Sequence, residues 1–293
     1  MLVTGAAGGV GSVGRTVVEL LRRQDVPVRA FVHGEDDRAD ALRAAGAEVV
    51  AGDLTEAGDV VRALDGCGRM YFGMSVSPRY LQATVTVAAA ARARGDLTVL
   101  VNMSQMTVSQ MTLTSTTESK QHRLHWLSEQ VLNWSGLPVV HVRPTVFLDN
   151  PIFTTLAARS IASDDTIRLP FGSGRTAPVA ARDVAAVVAA VLTDPAPHIG
   201  NVYELTGPRS QDMTATAADF SAALGRSITY VDVPLRQWID EDLVPLGLPE
   251  HLQNHLATMA RLHREGRYDR LTHDVEAVTG RVPISVRDFV AAR

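Results

Sequence analysis

Leu2-Val3-Thr4-Gly5-Ala6-Ala7-Gly8-Gly9-Val10-Gly11-Ser12-Val13-Gly14-Arg15-Thr16-Val17-Val18-Glu19-Leu20-Leu21 is the stretch whose reading decides the fold. It reads as a very short buried strand, a glycine-rich turn and a helix that opens near Gly14. Gly5, Gly8 and Gly11 have the spacing Gly-x-x-Gly-x-x-Gly, and Gly14 extends that register. Such a turn lets backbone N–H groups approach a pyrophosphate, and the helix N-terminus adds partial positive charge. Glycine-rich turns also close ordinary loops, so the context matters. A strand before, an apolar helix after and a βαβ continuation point to a bound dinucleotide.

Outward from this stretch, strand and helix alternate. Val26 to Val32 reads as a second strand and 37–45 as a helix ended by Gly46, where a C-terminal glycine is expected. Glu48 to Asp53 is a third strand running into a turn, and Val60 to Leu64 a short helix. Arg69 to Met74 is a fourth strand, Arg79 to Arg94 an Ala-rich helix, and Leu97 to Met103 an almost continuous apolar strand. Apolar strands of this kind fit a parallel sheet covered on both faces, and the alternation implies a doubly wound sheet with right-handed crossovers.

From Met103 to Ser119 the composition turns to Ser, Thr, Gln and Met without a period. This predicts a long loop at the carboxyl end of the fifth strand, the edge where open α/β sheets bind ligands. A helix over 119–135 ends at Gly136, and Val139 to Val142 is a sixth strand stopped by Pro144. Beyond Asn150 the alternation weakens. The pattern predicts helices over 151–163, 184–193, 214–224, 235–243, 249–265 and 286–292, a turn at Phe171 to Gly174, and strands at Val202 to Leu205 and Thr229 to Val233. Residues 1–150 are expected to form the dinucleotide-binding domain, with 177–207 packing back onto it. Residues 151–293 are expected to form a smaller α+β lobe laid over the strand ends.

The 293 residues are 46% hydrophobic and 20% charged, an ordinary globular balance, with a net charge of −4. A nucleic-acid partner is not expected, since it needs clustered positive surface. No apolar run reaches membrane-spanning length, so no membrane partner is expected. A strand stands where a signal peptide would carry a charged region and a long apolar core, and a cytoplasmic protein is the expectation. The single cysteine, Cys67, excludes an internal disulfide and an all-cysteine metal site, and its place in a turn reads as structural. Monomer and homodimer are both open.

Asp53 ends the third strand, where a carboxylate accepts from an adenine amino group or, equally, caps the next helix. An acidic residue about twenty positions after the glycines would bind a ribose 2′-OH, and a basic one would suit a 2′-phosphate. The second strand ends on His33, followed by Glu35-Asp36-Asp37 and then Arg38, which leaves NAD and NADP undecided. Gln121, His125 and Glu129 share one face of the 119–135 helix. If that face looks at the cofactor, His125, with an unperturbed pKa of about 6.5, is the best-placed titratable group. The plain alternative is a His125–Glu129 ion pair on a solvated face. His122 and Arg123 read as surface. His251 and His255 are one helical turn apart, but no Glu follows His251 as in His-Glu-x-x-His, so no metal is expected. Met103, Met106 and Met111 suit an adaptable pocket or core filling equally.

Taken together, these residues resemble the NmrA-like group of atypical short-chain dehydrogenases/reductases. The resemblance is carried by Val3-Thr4-Gly5-Ala6-Ala7-Gly8, Gly52-Asp53-Leu54, His125-x-x-Ser128-Glu129, Ser135-Gly136-Leu137-Pro138 and Val142-Arg143-Pro144 with Asp149-Asn150. Ala181-Arg182-Asp183-Val184-Ala185 and Tyr203-Glu204-Leu205-Thr206-Gly207-Pro208 extend it over nearly the whole chain. Relative to the family pattern the glycine turn holds extra residues around Gly9 to Ser12. The resemblance implies a Rossmann domain that binds NAD(P)H and a C-terminal lobe that forms a substrate pocket. It implies cofactor contacts from Gly5, Ala7, Gly8, Gly11, Ser12, Val13, Gly14, His33, Arg38, Asp53, Leu54, Gly73, Met74, Ser75, Met103, Ser104, His125 and Pro144. Gln105, Met106 and Phe147 would meet the substrate, and Trp238 and Tyr268 are pocket candidates that core packing explains equally well. The Tyr-x-x-x-Lys pair of the wider superfamily falls on Gln121 and His125, so the tyrosine is absent. His125 and Ser104 are the catalytic candidates.

A quinone that accepts hydride becomes a phenolate-like anion and needs a strong general acid less than an alcohol–ketone pair does. The missing tyrosine therefore steers the reading to an NAD(P)H-dependent oxidoreductase acting on a quinone or other small aromatic carbonyl compound. The family also contains dinucleotide-binding redox sensors without turnover, and a tailoring enzyme of aromatic natural products is a third possibility, since fold does not fix function.

Overall fold

The computed structural model describes residues 1–8 and 13–293. In chain order the elements are β1 (Leu2–Thr4), α1 (Val13–Arg22), β2 (Arg29–Val32), α2 (Asp37–Ala44), β3 (Glu48–Ala51), α3 (Ala57–Leu64), β4 (Arg69–Phe72), α4 (Tyr80–Arg94), β5 (Val99–Met103), α5 (Lys120–Trp134) and β6 (Val139–Pro144). There follow α6 (Ala158–Asp164), β7 (Thr166–Leu169), α7 (Ala181–Thr193), β8 (Val202–Leu205), α8 (Met213–Leu224), β9 (Thr229–Asp232), α9 (Leu235–Trp238), α10 (Glu250–Arg264), α11 (Asp274–Thr279) and α12 (Val286–Ala291).

Seven strands form one parallel sheet in the order β3-β2-β1-β4-β5-β6-β8. The doubly wound Rossmann arrangement expected from the alternation is therefore present, with the strand order reversing between β1 and β4. Apolar strands suit this sheet because helices cover both faces. On one face Val17, Val18 and Leu21 of α1 pack with Val184 and Val188 of α7, and on the other Leu64, Val87 and Leu132 come from α3, α4 and α5. A further core gathers Phe153, Ile167, Leu169, Phe171, Phe220, Trp238 and Leu256 around the small parallel pair β7–β9.

Several elements differ from the sequence reading. β7 was not anticipated, because a four-residue strand with only Ile167 and Leu169 buried gives too short an alternation. The six-residue α11 was missed for the same reason of length. α7 opens at Ala181 rather than Val184, because Asp149 Oδ2 accepts from the Ala181 N–H at 2.9 Å and supplies a cap from a distant segment. The loop after β5 contains a 3-10 turn, Met106–Gln110. Among the described residues no helix is long and apolar enough to cross a membrane.

Candidate functional site

The site is built first from backbone. Thr4 Oγ1 donates to Gly73 O at 2.8 Å and accepts from Gly73 N–H at 2.9 Å, which locks the end of β1 to the end of β4. Gly5 turns the chain with φ +67°, and a Cβ there would stand 2.7 Å from Gly73 O. A Cβ on Gly14 would stand 2.8 Å from Ala6 N, so α1 starts hard against the turn. Only glycine fits this close approach. Gly11 and Ser12 lie outside the described residues.

Over this turn lies a cavity of about 440 Å³ at the carboxyl ends of β1, β4, β5 and β6. Gly5, Gly8, Val13 and Gly14 line one side, followed by Gly73, Met74 and Ser75 after β4. Met103 ends β5 with Ser104 and Gln105 just past it, Pro144 ends β6 with Phe147 just past it, and His125 comes from α5. The far wall is Leu252, His255, Leu256 and Met259 of α10, with Tyr268 beyond it. The α10 wall was missed from sequence, although the spacing of Leu252, Leu256 and Met259 is that of one helix face and was readable.

Other expected contacts stand away from this wall. Met106 is fully buried at the start of the 3-10 turn and does not line the cavity, and Trp238 is fully buried in the β7–β9 core. Ala7, His33, Arg38, Asp53 and Leu54 do not line the cavity. His33, just past β2, and Arg38, in the first turn of α2, are both exposed. Arg38 Nη1 donates to Ala7 O at 2.8 Å, while its Nε and Nη2 bond Asp36, so the cation is tied to the glycine turn and already partnered by a carboxylate. Asp53 is not a helix cap. Its Oδ1 accepts from Thr55 N and Oγ1 at 2.8 and 2.7 Å, and its Oδ2 from Arg79 at 2.9 Å. The Thr55 hydrogen bonds and the Arg79 charge hold its carboxyl below the usual carboxylate range.

The face of α5 behaves otherwise than its register alone implied. Glu129 makes no pair with His125. It is 1% exposed and forks with Arg143 of β6, at 2.9 Å through Nε and 2.5 Å through Nη2. His122, read as surface, is fully buried, with its Nδ1 accepting from Ser119 N–H at the start of the helix. For His125 the protonation state follows from the bonds. Ser77 N–H donates to Gln121 Oε1 at 3.2 Å, which turns the Gln121 amide nitrogen toward His125 Nε2, also at 3.2 Å. That nitrogen accepts, so Nδ1 carries the proton. Burial, with His255 nearby, pushes His125 down to about 3, which keeps it a neutral donor at pH 7. The free pKa of the sequence reading does not apply.

Whether these residues suit NAD(P)H is tested by atoms lacking partners. His125 Nδ1, Ser104 Oγ and Gln105 Nε2 are buried with no hydrogen-bond partner among the described residues, and all three belong to cavity-lining residues. Unpaired buried polar groups are costly and call for a ligand. With the side-chain-free glycine turn, they fit a dinucleotide whose nicotinamide end brings hydrogen-bonding groups. Among the described residues no three His, Cys, Asp or Glu groups gather as metal ligands. His255 Nδ1 is instead bonded to Ser119 Oγ at 2.8 Å.

A family model described as NAD(P)H-binding matches residues 8–195. The NAD(P)H azoreductase of Xenophilus azovorans is 29% identical over 287 residues, covering 97% of this chain and 96% of that protein. The (4-alkanoyl-5-oxo-2,5-dihydrofuran-3-yl)methyl phosphate reductase of Streptomyces griseus subsp. griseus is 30% identical over 293 residues, covering 99% and 96%. Among solved structures, the NADPH-dependent quinone oxidoreductase of Escherichia coli complexed with NADPH has the same fold. Its TM-score is 0.84 at 23% identity, covering 99% of this chain and 98% of that one. With its glycine turn, its strand order and this match over most of its length, the chain belongs to the NAD(P)H-binding family.

Proposed function

We propose that this NAD(P)H-dependent oxidoreductase reduces a flat, uncharged aromatic acceptor, a quinone or an azo compound. The observation that carries the reading is the cavity wall, which holds no Lys, Arg, Asp or Glu among the described residues. Its bulk is Met, Leu, Val, Phe and Pro, with Ser104, Gln105 and His125 toward one end and Ser75, Thr145, Asn150, His255 and Tyr268 as further polar residues of the wall. An ionised substrate would lose its hydration there without a partner, whereas a neutral ring system gains from burial. The azoreductase and quinone oxidoreductase similarities agree with that class.

Bound in this cavity, NAD(P)H supplies a hydride. The backbone of Gly5, Gly8 and Gly14 would hold the pyrophosphate, with Asp53 and Arg79 toward the adenosine. Ser104 and His125 would orient the nicotinamide end or the acceptor by donating hydrogen bonds. His125 does so from a neutral ring, so it steadies a developing negative charge without acting as a cationic acid. α10 keeps water from the apolar half of the cavity.

The test is a titration with NADPH and NADH followed by nicotinamide absorbance, alone and then with 1,4-naphthoquinone and a neutral azobenzene dye. Consumption that depends on the acceptor is expected, with sulfonated analogues of the same rings turned over more slowly. Tight binding of both cofactors without consumption across the panel would replace this reading with a dinucleotide sensor.

A further inference from the structure

We propose that Tyr268 is a catalytic residue of this site, its hydroxyl donating the proton that the acceptor takes up as it receives the hydride, with His122, Ser119 and His255 positioning it. The inference rests on the reductase reading and adds the proton donor that reading left unassigned.

Tyr268 lines the cavity, and its Oη meets His122 Nε2 at 3.4 Å. The direction of that contact is fixed from the other end of the ring. Ser119 N–H, which can only donate, lies 3.2 Å from His122 Nδ1, so Nδ1 bears the lone pair and Nε2 the proton. His122 therefore donates to the phenol oxygen. Ser119 Oγ also stands 2.9 Å from Nδ1 and must donate there, which leaves it to accept from His255 Nδ1 at 2.8 Å. Every donor in the chain points from His255 toward Tyr268. The phenolic proton is left over, with no acceptor among the described residues. Burial and the neighbouring His255 keep His122 well below its ordinary range, and a neutral ring has only one proton to give.

The tyrosine is also held still. His263 stacks on its ring with centroids 3.9 Å apart. On one side of it Arg267 pairs with the buried Glu118 at 2.8 Å, and on the other Arg270 Nη1 donates to Ser109 Oγ at 3.1 Å. Both contacts pin the segment to the loop that follows Ser104. Tyr80, by contrast, gives its proton to Met103 O at 2.8 Å, and Tyr71 stands on β4 beside Gly73, on the glycine-turn side. Tyr268 comes from the opposite wall.

In an azo acceptor the hydride forms one N–H bond and the N=N π pair moves to the second nitrogen. That nitrogen forms its own N–H bond as the Tyr268 O–H bond breaks. The phenolate left behind accepts from His122 Nε2–H and regains a proton from water after the product leaves. In a quinone the displaced pair rests on a carbonyl oxygen as a phenolate, which is stable without immediate protonation. Tyr268 therefore matters more for the azo bond.

The experiment compares wild type and Tyr268→Phe with NADPH, using 1,4-naphthoquinone and 4-aminoazobenzene. The variant is expected to lose about a hundredfold or more in kcat with the dye and less than about tenfold with the quinone, while still binding NADPH. Wild type is also expected to show a solvent deuterium isotope effect on kcat with the dye that is absent with the quinone. Equal losses on both acceptors, no loss with the dye, or no isotope effect with the dye would overturn the role of Tyr268 and leave the reductase reading standing. Wild type inactive with both acceptors would overturn that reading and the donor with it.

Discussion

At the scale of single residues, His125 shows how environment redefines a side chain. Its position on the cavity face of α5 was readable from helical register, but its state was not, because burial and the Gln121 bond come from packing. A ring whose pKa is pushed down to about 3 stays neutral from pH 5 to 8. The pH profile of kcat over that range is therefore expected to show no inflection of its making. His125→Phe is expected to lower turnover about tenfold to a hundredfold through loss of the Nδ1 donor. The cost in stability is expected to be only about 1 kcal/mol, since Gln121 loses one bond. Steady-state kinetics across pH and urea unfolding check both. A wild-type inflection near neutrality that the variant abolishes would show instead that His125 titrates during turnover.

At the scale of elements, the motif residues that carried the family resemblance turn out to tie elements together as much as to form the site. Ser128 accepts from Thr84 of α4 at 3.0 Å, and Glu129 clamps α5 to β6 through Arg143. Asp183 of α7 accepts from Ile284 N–H at 2.7 Å and fixes the distant segment before α12. None of these partners is visible in local sequence, because each lies on another element brought near only by the sheet order. The strands β1 to β6 were legible because each is a short apolar run between turn signals, whereas β7 and the far start of α7 depend on partners from elsewhere in the chain. The clamp gives a prediction. Glu129→Gln removes one charge from a nearly buried pair, a change that typically costs about 3–5 kcal/mol. Glu204, 3.7 Å from Arg143, offsets part of the loss, so the lower end, about 3 kcal/mol, is expected in urea unfolding. A change below about 1 kcal/mol would mean the pair orients α5 without stabilising it.

At the scale of the whole molecule, a group of histidines sets how the protein meets acid. Burial lowers His122 well below its usual range and pushes His255 and His263 down to about 4 and His125 to about 3. Their unfolded values lie at about 6.5. Between about pH 6.5 and 4 the unfolded chain binds protons that the folded chain refuses, so stability falls as pH falls through that window. Each histidine contributes a slope of up to about 1.4 kcal/mol per pH unit. Below about pH 4 the folded forms of His255 and His263 take up protons too, and their slopes flatten. Urea unfolding at pH 7, 6 and 5 is expected to show a loss corresponding to more than one proton. A curve flat over that range would mean these rings reach water in the folded state. The doubly wound architecture was legible from the alternation of patterns, but this histidine group was not, since His122 was read as surface and lies far in sequence from His255 and His263 of α10.

The course of the chain through its sheet has a consequence for modular exchange. β6 is followed by α6 and β7 of the other core, after which the chain returns to lay α7 against α1 and to add β8 beside β6. Residues that close the sheet thus come from beyond the first part of the far lobe. No single cut separates the residues of one core from those of the other. A fragment ending after β6 would expose the apolar face of α1 and an unpaired sheet edge, and such surfaces invite aggregation. New acceptor specificity on this scaffold is therefore expected to arise by substitutions on α10 and the Tyr268 segment, and not by grafting a foreign lobe at one junction.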